Sequence, residues 1–196
     1  LYLSTSAGIA LYPTDGNNVI DLIRNADAAL YRAKRQGGGA LEVYHPDMNA
    51  AAVERLMLKS RLRMAFEKNE LRVHYQPKVS LRDGSIVGAE ALVRWELTDR
   101  GIVLPSEFIP LAEESNLILQ IGEWVLDRVC ADYQKWALTP ARPGRVSVNL
   151  SLRQLKQRDF ISRVQAIYAK HGVAPDALEL EITETTLMED PKRTLH

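Results

Sequence analysis

The sequence holds one cysteine, Cys130, so no disulfide can form within the chain and the composition suits a reducing compartment. It has no excess charge of either sign. Lys plus Arg and Asp plus Glu each number 25, which removes the electrostatic footprint of a nucleic-acid binder or a polybasic membrane binder. No apolar run approaches the length that crosses a bilayer. The opening Leu1-Tyr2-Leu3 lacks both an initiator Met and the charged start of a signal peptide. It reads as a strand entered partway, while Asp190-Pro191 reads as the N-cap and first residue of a helix that stops after one turn. Both ends are therefore expected to be cut. There is no internal repeat and no low-complexity stretch.

What is present suits a soluble globular protein: 46% apolar and 26% charged residues over 196 positions, enough for one ordinary domain or two smaller pieces. Residues 3–12 alternate as a strand does, and 13–18 form a turn cluster. From Val19 to Gln36, Ile20, Ile23, Ala26, Leu30 and Ala33 recur at helical spacing, and Gly37-Gly38-Gly39 ends that helix. Leu41 to Tyr44 is a short closing strand. His45-Pro46-Asp47 marks a break, so a domain boundary is expected near 45–50. A second amphipathic helix is expected over 51–68, with Val53, Leu56, Met57, Leu62 and Phe66 on one side.

The pattern then changes. Leu71 to Leu81 and Ile86 to Leu97 read as strands joined by the tight turn Arg82-Asp83-Gly84-Ser85, a hairpin. Helices follow over Pro105–Ser115 and Ile118–Leu138, then a strand from Arg145 to Leu150. A helix from Leu152 to His171 and a strand from Leu178 to Thr183 complete the pattern. Strands alternating with helices predict a parallel sheet or barrel.

Period-two alternation sorts the strand residues by face. Glu90, Leu92 and Arg94 share one face of the second hairpin strand; Ser147, Asn149 and Ser151 share one face of the next; Glu179, Glu181 and Thr183 share one face of the last. In a parallel barrel the apolar face must meet the helices, so the polar face points inward and its last members reach the C-terminal rim. Glu90, Asn149 and Glu181 would converge there as hard oxygen donors suited to Mg²⁺ or Mn²⁺ rather than zinc. Arg94 would offer a planar fork to a phosphate. A plainer reading stays open on spacing alone. The two glutamates would lie on the wet face of an antiparallel strand, Arg94 would pair with a surface carboxylate, and Asn149 would be a strand-end turn residue.

The same residues resemble a known family. Tyr75-Gln76-Pro77-Lys78, Glu90-Ala91-Leu92 followed by Val93-Arg94-Trp95, and Pro105-Ser106-Glu107-Phe108-Ile109-Pro110-Leu111-Ala112-Glu113 are similar, in order, to the signatures of the EAL domain. Val148-Asn149-Leu150-Ser151 and Glu181-Ile182-Thr183-Glu184 continue the series. A lone tripeptide would mean little, but an ordered series is specific. The resemblance implies a modified TIM-type barrel that hydrolyses cyclic-di-GMP to a linear dinucleotide with Mg²⁺ or Mn²⁺. It implies metal binding by Glu90, Asn149 and Glu181, contact with the dinucleotide by Gln76 and Arg94, and support of a catalytic loop by Glu184. A homodimer through this domain is a further expectation, as is a cytoplasmic location, with any membrane anchor lying in segments upstream.

Ser6-Ala7-Gly8-Ile9-Ala10 and Ala26-Asp27-Ala28-Ala29-Leu30-Tyr31-Arg32-Ala33-Lys34 resemble the tail of a GGDEF diguanylate cyclase domain. There Lys34 would reach nucleotide phosphates. An Arg usually follows four residues later, and this chain has Gly38, which weakens that expectation. The organisation expected is thus an α/β GGDEF tail at 1–45, a linker at 46–52, and the first part of an EAL domain at 53–196. The acidic pair, lysine and general-base glutamate of the family would lie beyond residue 196. A full barrel takes about 250 residues, so the chain by itself is expected to be catalytically silent. The alternative is a non-catalytic cyclic-di-GMP receptor.

Overall fold

The structure is a computed structural model that describes residues 4–35, 37–139 and 144–182. Internal contacts divide the chain into two units between Ser60 and Arg61.

In the first unit, strand β1 (Ala7–Ile9) pairs in parallel with β2 (Leu41–Val43), and helix α1 (Val19–Arg35) connects them. The expected strand over 3–12 is thus shorter, because β2 offers only three residues to pair with. A methyl group at Gly8 would lie 2.1 Å from the Ala26 carbonyl oxygen and 2.2 Å from the Leu30 nitrogen, so α1 rests directly on bare backbone. Ala29 and Ala33 form the buried part of the helix stripe, whereas Ile20 and Ile23 stay exposed. Helix α2 (Asp47–Leu62) starts four residues earlier and ends six residues earlier than the 51–68 expected. Pro46 opens it rather than breaking the chain, consistent with proline's preference for helix starts. Asn69, in the left-handed region at φ 55°, helps close the turns that follow it. Among the described side chains of α2, Met48, Leu58 and Leu62 are buried, whereas Val53, Leu56 and Met57 are exposed.

The second unit is built on one sheet. Strands β3 (Leu71–Val79) and β4 (Ile86–Leu97) form the expected hairpin. A short strand β5 (Gly101–Val103), not anticipated from the sequence, folds back antiparallel on the end of β4. Helices α3 (Pro105–Glu114) and α4 (Leu117–Ala137) follow, separated by Ser115 and Asn116, and Asn116 takes the left-handed conformation that asparagine tolerates. Strands β6 (Arg145–Leu150) and β7 (Leu178–Ile182) then pair in parallel, giving the order β3-β4-β6-β7. Among the described residues this sheet is open.

The helix expected from Leu152 to His171 is in fact two, α5 (Leu152–Leu155) and α6 (Phe160–His171). Lys156-Gln157-Arg158-Asp159 supplies no apolar residue to continue a stripe, and the second helix restarts its own with buried Phe160, Val164 and Ile167.

One face of the sheet is dry. Ala89, Ala91, Trp95, Val146, Val148 and Leu150 are buried there. Phe108 of α3 packs edge-on against Trp95, centroids 5.9 Å apart, and the indole Nε1 donates to Glu70 at 3.0 Å. Tyr75 of β3 meets Trp136 of α4 edge-on at 4.6 Å, and its hydroxyl donates to Asp132 at 3.0 Å. Truncating the fully buried Trp95 to alanine is expected to destabilise this unit by about 3–5 kcal/mol, measured by denaturant unfolding; a loss under about 1 kcal/mol would show that the indole is not central to the core.

Candidate active site

With Ala89, Ala91, Val146 and Val148 buried on one face, alternation commits Glu90, Ser147 and Glu181 to the other. The strands that carry them are parallel, so the glutamates of β7 do not sit on an antiparallel wet strand. Register aligns Gln76, Glu90, Ser147 and Glu179 in one row across the four strands. Asn149 and Glu181 pair in the next row toward the C-terminal ends. Asn149 Nδ2 donates to Glu90 Oε1 at 2.8 Å, so two of the three expected ligands are in contact. Glu181 lies directly beside Asn149 on the neighbouring strand.

The Glu181 carboxylate has another partner. Lys78 Nζ lies 2.9 Å from Glu181 Oε1, 2.5 Å from Ser147 Oγ and 3.9 Å from Glu179 Oε2. The Ser147 hydroxyl in turn donates to Glu179 at 3.2 Å. The Lys78 ammonium, with help from Ser147, holds Glu181 below the usual carboxylate range. Lys78 was not among the residues singled out in the sequence. Its place two positions after Gln76 puts it on the same face of β3, so the parity rule extended to the first strand finds it.

The oxygens of Glu90, Asn149 and Glu181 make a set that hard divalent cations accept, with Asn149 Oδ1 and the second Glu181 oxygen outside the bonds just described. Among the described residues no three His, Cys, Asp or Glu side chains gather closely enough to hold an ion by themselves. Arg94 is half-buried and its Nη1 turns back to the Val93 carbonyl at 2.9 Å. Gln76, across the ladder from Glu90, is exposed. Lys34 is exposed near the end of α1 in the other unit. Glu184 lies outside the described residues. Cys130 is fully buried, and burial pushes its thiol up to about 12, so it is no nucleophile.

Beyond Ala91 and Val148 the β4–β6 ladder ends, and a cavity of about 240 Å³ opens there, lined by Leu92, Ile109, Ile121, Asn149 and Ser151. Ser151 fixes the turn after Asn149 through a capping box with Gln154, each side chain bonding to the other's backbone. Gln154 is buried against Gly122 of α4, where a methyl group would fall 2.0 Å from its Nε2.

Comparisons with known proteins agree with this architecture. The EAL domain family matches residues 59–196, and the diguanylate cyclase GGDEF domain family matches residues 1–40. The chain belongs to the EAL domain family, with a piece of a GGDEF domain before it. It is 43% identical over 193 residues to the bifunctional diguanylate cyclase/cyclic di-GMP phosphodiesterase MucR of Pseudomonas aeruginosa, covering 98% of this chain and 28% of that protein. It is 38% identical over 195 residues to the cyclic di-GMP phosphodiesterase PdeR of Escherichia coli, covering 100% of this chain and 29% of that protein. The chain thus spans less than a third of either relative's length. Among solved structures, the MucR phosphodiesterase in complex with c-di-GMP superposes with a TM-score of 0.67 at 40% identity, over 71% of this chain and 56% of that one. The EAL enzyme Bd1971 in its cGMP-bound form gives 0.65 at 27% identity, over 89% of this chain and 45% of that one. The fold is therefore a partial TIM-type barrel. Among the described residues no helix is long and apolar enough to cross a membrane.

Gly122→Ala must displace Gln154 and is expected to cost about 1 kcal/mol through the lost cap. In a Gln154→Ala background the same change should be neutral or stabilising, since alanine is the better helix former by roughly 1 kcal/mol. A double-mutant unfolding cycle measures the coupling; additive effects would mean that Gln154 does not rest on Gly122.

Proposed function

We propose that the longer protein carrying this chain hydrolyses cyclic-di-GMP to linear pGpG through its EAL domain. The observation that carries this reading is the Asn149–Glu90 hydrogen bond with Glu181 in register beside it, at the C-terminal ends of parallel strands where barrel enzymes build their sites. Glu90, Asn149 and Glu181 would hold Mg²⁺ or Mn²⁺, which would supply Lewis-acid activation of water for in-line attack on phosphorus. Gln76 shares the inner face with Glu90 and would orient the dinucleotide. Arg94, two positions after Glu90 on that face, would swing from the Val93 carbonyl to pair with a phosphate. Glu184 would support a later catalytic loop. Lys34 belongs to the GGDEF unit, and a phosphate contact there would serve that domain rather than hydrolysis.

The chain itself is read as an incomplete EAL domain without turnover. In support, it aligns with 56% of the MucR phosphodiesterase chain, and its sheet among the described residues is open. Self-association through the EAL unit and a cytoplasmic location belong to the same reading.

The test is cyclic-di-GMP hydrolysis with Mn²⁺ by the longer protein, its Glu90→Ala and Glu181→Ala variants, and the 196-residue chain. Turnover is expected in the first, a loss of about a hundredfold or more in both variants, and none in the last. Tight nucleotide binding without turnover in the unaltered protein would assign a receptor instead.

A further inference from the structure

Lys78 is a cation built into the inner face of the sheet. It starts on β3, opposite Gly88 of β4, which presents no side chain there, and reaches past β4 to Ser147 on β6 and Glu181 on β7. Three carboxylates, Glu90, Glu179 and Glu181, share that face, and Lys78 bonds to one and lies 3.9 Å from a second. Its contacts join two strands of the sheet to a third, and they engage one of the oxygens a metal would need.

The geometry points to Lys78 as a tethered competitor of the divalent metal: it compensates the acidic face when the site is empty and lowers the affinity of the site when metal arrives. The inference rests on the metal reading given above. Its sign follows from what substitution removes. With Lys78 gone, the β6–β7 pairing still sets Glu181 beside Asn149, so the ligand stays in place. What is lost is a positive charge in contact with a ligand, and a dication feels that charge twice as strongly as a monovalent ion would. The side chains are part-solvated, Lys78 41% and Glu181 37% exposed, so the effect is moderated by water and screened by salt.

The test uses the full-length protein with Mn²⁺ as the probe, followed by calorimetric titration at low and high salt and by thermal melting without metal. Lys78→Met is expected to melt lower without metal yet to bind Mn²⁺ about tenfold more tightly at low salt, with the difference shrinking at high salt. Lys78→Arg, which keeps the charge, should bind within about twofold of the unaltered protein. Lys78→Gln serves in place of methionine if that variant fails to fold. Unchanged or weaker Mn²⁺ binding by Lys78→Met or Lys78→Gln, with binding still dependent on Glu90, overturns the competitor role alone. Absence of Mn²⁺ binding by the unaltered protein, or binding indifferent to Glu90→Ala, overturns the metal reading and this inference with it.

Discussion

Val146, Val148, Ala89, Ala91 and Trp95 must stay out of water, and a mixed sheet covered by helices on that side is how the chain achieves it. Everything at the site follows from that burial. A strand has only two faces, so drying the odd-numbered positions of β4 fixes Glu90 and Arg94 on the other. The same logic holds for Asn149 on β6, whose valines pack on α4, and the β6–β7 register carries it to Glu181; slipping β6 by one residue would turn an amide toward that helix. Such a slip would strand polar groups without partners, a cost far larger than any contact it could gain.

Gathering carboxylates on one face creates the opposite problem. Glu90, Glu179 and Glu181 repel one another, and the sheet holds them at fixed register. Asn149 relieves Glu90 by donating a hydrogen bond, while Lys78 and Ser147 relieve the pair on β7. An acidic face of this kind is stable without metal only because a neutral donor and a cation are interleaved with the acids.

The parallel part of the site was legible in the sequence because alternation is a local signal that survives without tertiary information. Glu90, Asn149 and Glu181 were placed on one face by parity, and β4 and β6 run as expected. The helix over 152–171 reads as one in the sequence because its polar interruption at 156–159 looks like a solvated turn; in the structure the first helix ends with its cap at Lys156 and a second starts after Asp159 with buried Phe160. Strand β5 is three residues long, too short for any periodicity to register. Lys78 escaped because a lysine in a hairpin strand ordinarily marks solvent, and its carboxylate partner lies on β7, distant in sequence.

The signatures that suggested the family mix two kinds of residue, and parity separates them. In Tyr75-Gln76-Pro77-Lys78 the tyrosine faces out to Trp136 and Asp132, whereas Gln76 and Lys78 face in. In Glu90-Ala91-Leu92-Val93-Arg94-Trp95 the alanine and tryptophan are core, while the glutamate and arginine share the inner face. Changes at the outward positions therefore act through stability, and changes at the inward positions act first through binding and chemistry. A motif match by itself counts both alike. Three strands that each place an oxygen ligand inward in adjacent rows are a stronger argument for a site than the identity of any single signature residue, because packing alone would not require those groups to meet.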